Sequence, residues 1–122
     1  MKLCMIGTGY VGLVSGACFS DLGNDVICVD KDEVKINKLK NGKIPIYEPG
    51  LSELVIKNHK NKKLIFSSDL KKSIKDSDVI FICVGTPTKK GGSSADLSQI
   101  YNVTKEISSS INRFKIVITK ST

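Results

Sequence analysis

The sequence predicts an α/β domain in which a doubly wound parallel sheet of about five strands is covered by helices. Two observations support this prediction. Short apolar runs rich in β-branched residues alternate with segments whose apolar residues recur at helical spacing. A G-x-G-x-x-G sequence, Gly7 to Gly12, directly follows the first apolar run and begins the first helical segment. Together these features are typical of a Rossmann-type fold, and 122 residues are enough for one such domain, over residues 1–122.

Strands are expected at five short apolar runs, namely residues 3–6, 26–29, 64–66, 79–84 and 116–119. Such runs are typical of strands buried on both faces of a parallel sheet. The helices are expected at residues 11–22, 33–41, 51–58, 70–75 and 97–110. Asp32 and Asp69 can cap two of these helices, and Gly23 and Gly42 can end two. The fifth strand is expected to be buried. A sheet of this kind normally continues, so we expect a fragment truncated after that strand, with a complete minimal domain as the alternative.

The net charge of +7 raises the question of a nucleic-acid partner. The lysines are scattered along the chain, Trp is absent, and Arg113 is the only arginine. Because arginine provides the bidentate contacts that read guanine, this composition predicts no nucleic-acid binding. A modest positive field would still attract an anionic nucleotide.

The four cysteines lie in apolar segments without a CxxC pair or a histidine at metal-ligand spacing, at Cys4, Cys18, Cys28 and Cys83. We therefore expect buried free thiols in a reducing compartment and no metal site. The N-terminus has no signal-peptide pattern, and no apolar stretch approaches the roughly 20 residues that a bilayer span requires. These features predict a cytoplasmic protein with no membrane partner. His59, among lysines and asparagines, is expected at the surface.

The three glycines of the G-x-G-x-x-G sequence suit the binding of a dinucleotide. Gly7 permits a tight turn, Gly9 lets the backbone approach a pyrophosphate, and Gly12 lets the helix pack closely. The helix N-terminus offers free N–H groups and the positive end of its dipole to the phosphates. An ordinary glycine-rich turn is the alternative, but the strand before it and the helix after it favour dinucleotide binding.

Asp30 ends the second strand, 18 residues after Gly12 (30 − 12). An acid at this position can accept hydrogen bonds from the hydroxyls of the adenosine ribose and repel a 2′-phosphate, which favours NAD over NADP. Asp30 could instead cap the next helix, but Asp32 is better placed to do so. Lys31 and Lys35 lie nearby and could weaken the discrimination.

Two hydroxyl-bearing segments follow later strands at the same edge of the sheet. Thr86 and Pro87 follow the fourth strand, and their loop suits the ribose on the nicotinamide side. An ordinary turn is the alternative there. Ser121 and Thr122 follow the fifth strand and could face the same cleft. No carboxylate pair and no Ser/His/Asp set can be assembled, so we expect no catalytic residue, apart from Thr122 if it lies near the reacting carbon.

Several motifs now occur in a characteristic order, namely GTGYVGL at residues 7–13, Asp30 with Lys35, GKIPIYEPGL at 42–51, VGTPT at 84–88, SADL at 94–97 and KST at 120–122. Over essentially its whole length, the chain closely resembles the N-terminal part of the UDP-glucose/GDP-mannose dehydrogenase family. The resemblance implies that Tyr10 and Val11 meet the pyrophosphate, Asp30 and Lys35 the adenosine ribose, and Thr86 the nicotinamide side of NAD.

The resemblance also implies a reaction for the full-length protein. The C6 alcohol of UDP-glucose would be oxidised to an aldehyde and then, through a thioester on a cysteine, to UDP-glucuronate, with two NAD reduced. This product supplies polysaccharide biosynthesis. The catalytic cysteine belongs to later segments of the family, so we expect this chain alone to be inactive, and the full-length protein to be a homo-oligomer. The alternatives are oxidation of GDP-mannose or a UDP-N-acetyl sugar, and a non-catalytic NAD-binding module.

Overall fold

The computed structural model describes residues 1–120. The strands are β1 (Lys2–Ile6), β2 (Asp25–Val29), β3 (Leu64–Ser67), β4 (Val79–Ile82) and β5 (Ile116–Thr119). The helices are α1 (Tyr10–Asp21), α2 (Glu33–Lys40), α3 (Leu51–Lys60), α4 (Leu70–Lys75) and α5 (Ser98–Ser110). The expected elements are therefore present in the expected order. The main difference in bounds is β4, which ends at Ile82 rather than at residue 84.

The five strands form one sheet in the order β3-β2-β1-β4-β5, and every neighbouring pair is parallel. The chain moves outward from β1 to β3 and then returns to the other side of β1 to place β4. The strand order therefore reverses between β1 and β4, which is the switch point of a doubly wound sheet. This topology confirms the predicted Rossmann-type fold.

The core has two layers because successive side chains of a strand point to opposite faces of the sheet. In β1, Leu3 and Met5 belong to a buried cluster with residues of α1, α2 and α3, whereas Cys4 and Ile6 belong to a second cluster with residues of α4 and α5. Both faces of β1 are thus covered, as its continuous apolar sequence predicts. This central strand carries the glycine turn at its carboxyl end.

The expectation that β5 is buried is wrong. Ile116, Val117 and Ile118 are 50%, 42% and 38% exposed. The strand lies at the edge of the sheet, where β4 is its neighbour, and the described helices pack mainly over β1, β2 and β3. An apolar run therefore predicted the strand correctly but did not predict its burial.

Two further expectations on exposure are wrong. Cys18 is exposed, although Cys4, Cys28 and Cys83 are buried free thiols as expected. The exposure of Cys18 follows from its place on the outer side of α1. His59 is only partly exposed, because α3 packs beside β3 and brings its Nδ1 to 3.0 Å from the carbonyl oxygen of Leu64. The imidazole of His59 is therefore part of the packing between a helix and a strand.

Candidate functional site

A cavity of about 840 Å³ lies over the carboxyl ends of β1, β2 and β4. Its floor includes Ile6, Val29 and Val84, which end or follow these strands, and its walls come from the start of α4 and from one side of α5. In open α/β sheets, ligands bind beyond the carboxyl ends of the strands at the switch point. The fold therefore places this cavity where a ligand is expected.

The glycine turn after β1 is held against the neighbouring strands. Gly7 has a φ of 106°, and its N–H donates a hydrogen bond of 2.8 Å to the carbonyl oxygen of Val29. A Cβ on Gly7 would lie 2.9 Å from the carbonyl oxygen of Cys83, and a Cβ on Gly12 would lie 1.9 Å from the carbonyl oxygen of Gly7. Both positions thus exclude a side chain. At Gly12 the obstacle is the backbone of the glycine turn, and not β1 as the packing of the helix on that strand had suggested.

Gly9 differs from these two glycines. Its backbone is extended, with φ −75° and ψ −166°, and a Cβ built on it would meet nothing within 4 Å. Gly9 lines the cavity, so the space beside it is open for a ligand to approach the backbone. Packing does not require a glycine here, whereas close approach of a pyrophosphate does.

The first turn of α1 lies next to this open space. Gly9 is the N-cap of the helix and provides no side-chain cap, and the N–H of Leu13 makes the first bond of the helix, to the carbonyl oxygen of Gly9 at 3.0 Å. The N–H groups of Tyr10, Val11 and Gly12 precede that bond and have no intrahelical acceptor. These three donors and the helix dipole suit a phosphate group.

Asp30 lines the same cavity from the end of β2, and its side chain is 16% exposed. Its Oδ2 accepts hydrogen bonds from the hydroxyl of Thr8 at 2.8 Å and from the N–H of Thr8 at 3.2 Å. Its Oδ1 accepts one from the N–H of Asp32 at 3.1 Å, and the Nζ of Lys35 lies 3.8 Å from Oδ2. The carboxylate is therefore fixed at the rim of the cavity.

These contacts keep Asp30 ionised. Burial is the largest influence on its pKa and raises it, but the hydrogen bonds from Asp32 and Thr8 and the positive charge of Lys35 together lower it below the usual value of an aspartic acid. An ionised carboxylate is an acceptor for ribose hydroxyls and a repulsive neighbour for a phosphate. Asp32 caps α2 instead, as expected, by accepting hydrogen bonds from two N–H groups of its first turn.

The side chains of Tyr10 and Val11 do not line the cavity in the described part of the chain. Tyr10 is 54% exposed, and its hydroxyl donates a hydrogen bond of 3.3 Å to the carboxylate of Glu48, in the loop between α2 and α3. Val11 is partly buried and packs against the core. A role of these two residues at the pyrophosphate therefore rests on their N–H groups.

The loop after β4 approaches the cavity only through its first residues. Cys83, Val84 and Gly85 line the cavity, whereas Thr86 and Pro87 are absent from its lining within the described residues. The loop folds back on itself, since the carbonyl oxygen of Pro87 accepts a hydrogen bond of 2.6 Å from the N–H of Asp96. The other two expected residues, Ser121 and Thr122, lie outside the described residues.

Thr8 is a site residue that the sequence analysis missed. It is 1% exposed, it lines the cavity, and it joins the glycine turn to Asp30. The signal that could have identified it is a hydroxyl-bearing residue between the first two glycines, next to the acidic end of the adjacent strand. The walls from α4 and α5 were also missed, because helices distant in sequence form them.

The described helices include none long and apolar enough to cross a membrane. Within residues 1–120, no cluster of His, Cys, Asp and Glu could hold a metal ion. The remaining features all concern the cavity. The reversed strand order, the glycine turn, the uncapped helix N-terminus and the fixed carboxylate define a Rossmann-type dinucleotide-binding domain.

Comparison with known proteins narrows this class. The model of the UDP-glucose/GDP-mannose dehydrogenase family, NAD binding domain, matches residues 1–122. The chain is 56% identical, over all of its length and 28% of the relative, to a UDP-glucose 6-dehydrogenase of Rhizobium meliloti. It therefore belongs to the UDP-glucose/GDP-mannose dehydrogenase family and is an NAD-binding domain of that family. It spans about 28% of the length of the curated relative.

Solved structures show the same fold in relatives named for different sugars. A ternary complex of GDP-mannose dehydrogenase from Pseudomonas aeruginosa matches with a TM-score of 0.94 and 42% identity, over 100% of this chain and 28% of that one. A UDP-glucose dehydrogenase from Pyrobaculum islandicum matches with a TM-score of 0.92 and 33% identity, over 99% and 28%. The backbone of the NAD-binding domain therefore does not distinguish these sugar nucleotides.

Proposed function

We propose that this chain is the cofactor-binding part of an NAD-dependent UDP-glucose 6-dehydrogenase, which converts UDP-glucose and two NAD to UDP-glucuronate. The observation that carries the cofactor half of the proposal is the pairing of open space beside Gly9 with a fixed carboxylate at Asp30. The 56% identity to a UDP-glucose 6-dehydrogenase carries the substrate half. The domain would occupy residues 1–122.

The residues of the cavity fit NAD. The N–H groups at the start of α1 would hold the pyrophosphate beside Gly9, and Asp30 would accept hydrogen bonds from the adenosine ribose with Lys35 beside it. Bound NAD supplies the acceptor for the hydride that leaves the sugar carbon. The protein contributes binding and orientation of the cofactor. The glycine turn that does so follows β1, whose two faces are both buried.

We propose that four residues after β4 and β5 contact the nicotinamide half of NAD. Thr86 and Pro87 would contact the cofactor after a rearrangement of their loop, and Ser121 and Thr122 would lie near the nicotinamide. Thr86 is partly buried, while Pro87 is exposed, so the two differ in how readily they could turn toward a ligand. Substitution of Thr86 by Val should then raise the KM for NAD, and an unchanged KM would contradict this assignment.

The substrate is tested with the full-length protein. Production of NADH is measured by absorbance with UDP-glucose, GDP-mannose and UDP-N-acetyl sugars supplied separately. The proposal expects UDP-glucose to give the highest kcat/KM and two NADH for each sugar oxidised. Preferential oxidation of GDP-mannose would instead favour the second candidate, a GDP-mannose dehydrogenase, since an enzyme of that name shares this fold at 42% identity. NAD binding without reduction by any of these sugars would favour a non-catalytic module.

We also propose a cytoplasmic location and a homo-oligomeric full-length protein. Three buried free thiols support a reducing compartment, namely Cys4 and Cys28 on the neighbouring strands β1 and β2 and Cys83 directly after β4. Cell fractionation tests the location, and recovery of the protein outside the cytoplasmic fraction would contradict it. Light scattering of the full-length protein tests assembly, and the mass of a single chain would contradict the homo-oligomer.

A further inference from the structure

Thr8 makes two hydrogen bonds to one oxygen of Asp30. Its hydroxyl and its N–H reach Oδ2 at 2.8 Å and 3.2 Å, and the threonine itself is 1% exposed. Oδ1 accepts a single hydrogen bond in the described structure, from the N–H of Asp32. Because a carboxylate oxygen accepts about two hydrogen bonds, Oδ2 is filled by Thr8 and Oδ1 keeps room for a ligand hydroxyl.

Without the hydroxyl of Thr8, the carboxylate would lose its shortest hydrogen bond. The Nζ of Lys35, 3.8 Å from Oδ2, would then be the closest competing partner, and the side chain could turn toward it. The N–H of Thr8 would still hold Oδ2 at 3.2 Å and the N–H of Asp32 would hold Oδ1 at 3.1 Å, but these two longer bonds hold the carboxylate less tightly than the three bonds together. The threonine hydroxyl therefore makes the shortest of the three hydrogen bonds that hold the carboxylate of Asp30 in place.

We propose that Thr8 is a positioning residue that sets the preference of this site for a dinucleotide with a free ribose 2′-hydroxyl over one with a 2′-phosphate. It acts through Asp30, which accepts from a hydroxyl and repels a phosphate only while it is ionised and correctly oriented. This inference deepens the proposed function, because it rests on the adenosine ribose of NAD binding next to Asp30.

Charged side chains of both signs line the cavity around Asp30. The cations are Lys31, Lys35, Lys71 and Lys105, and the acids besides Asp30 are Asp69, at the start of α4, and Glu106, on α5. These cations would favour a 2′-phosphate if the carboxylate of Asp30 were turned away or protonated. Removal of the Thr8 hydroxyl should therefore weaken NAD binding and leave binding of NADP unchanged or stronger.

The same device predicts a change in the dependence of binding on pH. The pKa of Asp30 lies below its usual value, and the hydrogen bond from Thr8 is one of the causes. In the wild type, NAD affinity is therefore maintained as the pH falls toward the usual range of an aspartic acid. Loss of the hydroxyl raises the pKa of Asp30, so the affinity begins to fall at a higher pH.

The experiment uses calorimetry on the full-length protein with NAD and NADP from about pH 3 to about pH 8, so that the window includes the usual pKa of an aspartic acid, about 3.9. Thr8→Val removes the hydroxyl and keeps the volume, Thr8→Ala removes it without a methyl against the carboxylate, and Thr8→Ser restores it. Ser20→Ala is the matched control, because Ser20 is also 1% exposed and its hydroxyl donates to a carbonyl of α1 away from the cavity.

In the Val or Ala variant we expect the ratio of NAD to NADP affinity to fall about tenfold, as for loss of a hydrogen bond to a charged group. The acid limb should shift to higher pH, Ser should restore both, and Ser20→Ala should change neither. An unchanged ratio and pH profile in both variants, or an equal loss for the two dinucleotides, would overturn this inference alone. A wild-type protein that binds neither dinucleotide would contradict the proposed function itself.

Discussion

Substitution of Gly9 by Ala should separate cofactor binding from folding. The new Cβ would meet nothing within 4 Å, and a φ of −75° is accessible to alanine. Loss of chain entropy in the unfolded state stabilises by about 0.4–1 kcal/mol, while alanine is a poorer N-cap than glycine. These opposing effects should leave the free energy of unfolding within about 1 kcal/mol of the wild type.

Binding of NAD should change much more. The methyl group would occupy the open space through which a pyrophosphate approaches the N–H groups of α1. A hydrogen bond to a charged group contributes about 1.5–3 kcal/mol, so displacement of the pyrophosphate from one such bond should weaken binding by about tenfold or more. Calorimetry measures the dissociation constant, and urea unfolding followed by circular dichroism measures stability.

Gly12→Ala is the matched control. Its Cβ would lie 1.9 Å from the carbonyl oxygen of Gly7, so the backbone must shift. We expect destabilisation of about 3 kcal/mol or more, at the upper end of the usual cost of overpacking. The reasoning would be refuted if Gly9→Ala bound NAD as tightly as the wild type, or if it lost as much stability as Gly12→Ala.

Three other substitutions or reactions test separate parts of the structure. Asp30→Ala should weaken NAD binding about tenfold or more, because a charged hydrogen-bond acceptor is lost; an unchanged dissociation constant by calorimetry would show that this carboxylate does not hold the ribose. Cys18 is exposed, whereas burial raises the pKa of Cys83 to about 11, so peptide mapping after brief alkylation should find Cys18 labelled before Cys83, and the reverse order would contradict the assigned exposures. Lys115→Met should lower the Tm, because the Nζ of Lys115 donates to two backbone carbonyl groups at the end of α4, at 3.0 Å and 2.5 Å; Lys90→Met, in an exposed loop, is the control, and an equal Tm in the two variants would argue against this contribution.

The sequence was sufficient to predict the order of the elements and the centre of the sheet. Alternating apolar and polar segments defined each strand and helix, and Asp32 and Gly23 marked ends that the structure confirms. Burial was harder to predict. An apolar run such as β5 has the same sequence pattern at the edge of a sheet as at its centre. In the small-residue helix α1, tertiary packing decides which side faces outward, as it does at Cys18.

The site shows the same division. Local sequence predicted the glycine turn, because each glycine acts together with its neighbours along the chain. It also predicted Asp30, because that residue directly ends the second strand. Thr8 could not be assigned in the same way, since its contact with Asp30 depends on the register between β1 and β2. The walls of the cavity from α4 and α5 depend likewise on the strand order. The expected contacts of Thr86 and Pro87 with the cofactor stay predictions.

The central claim is that the cavity over β1, β2 and β4 holds NAD. A crystal structure of the full-length protein with NAD tests it most directly. The account predicts a hydroxyl of the adenosine ribose within hydrogen-bond distance of Asp30 and the pyrophosphate beside Gly9 at the N-terminus of α1. A dinucleotide bound elsewhere, or in this cavity with its ribose turned away from Asp30, would contradict it.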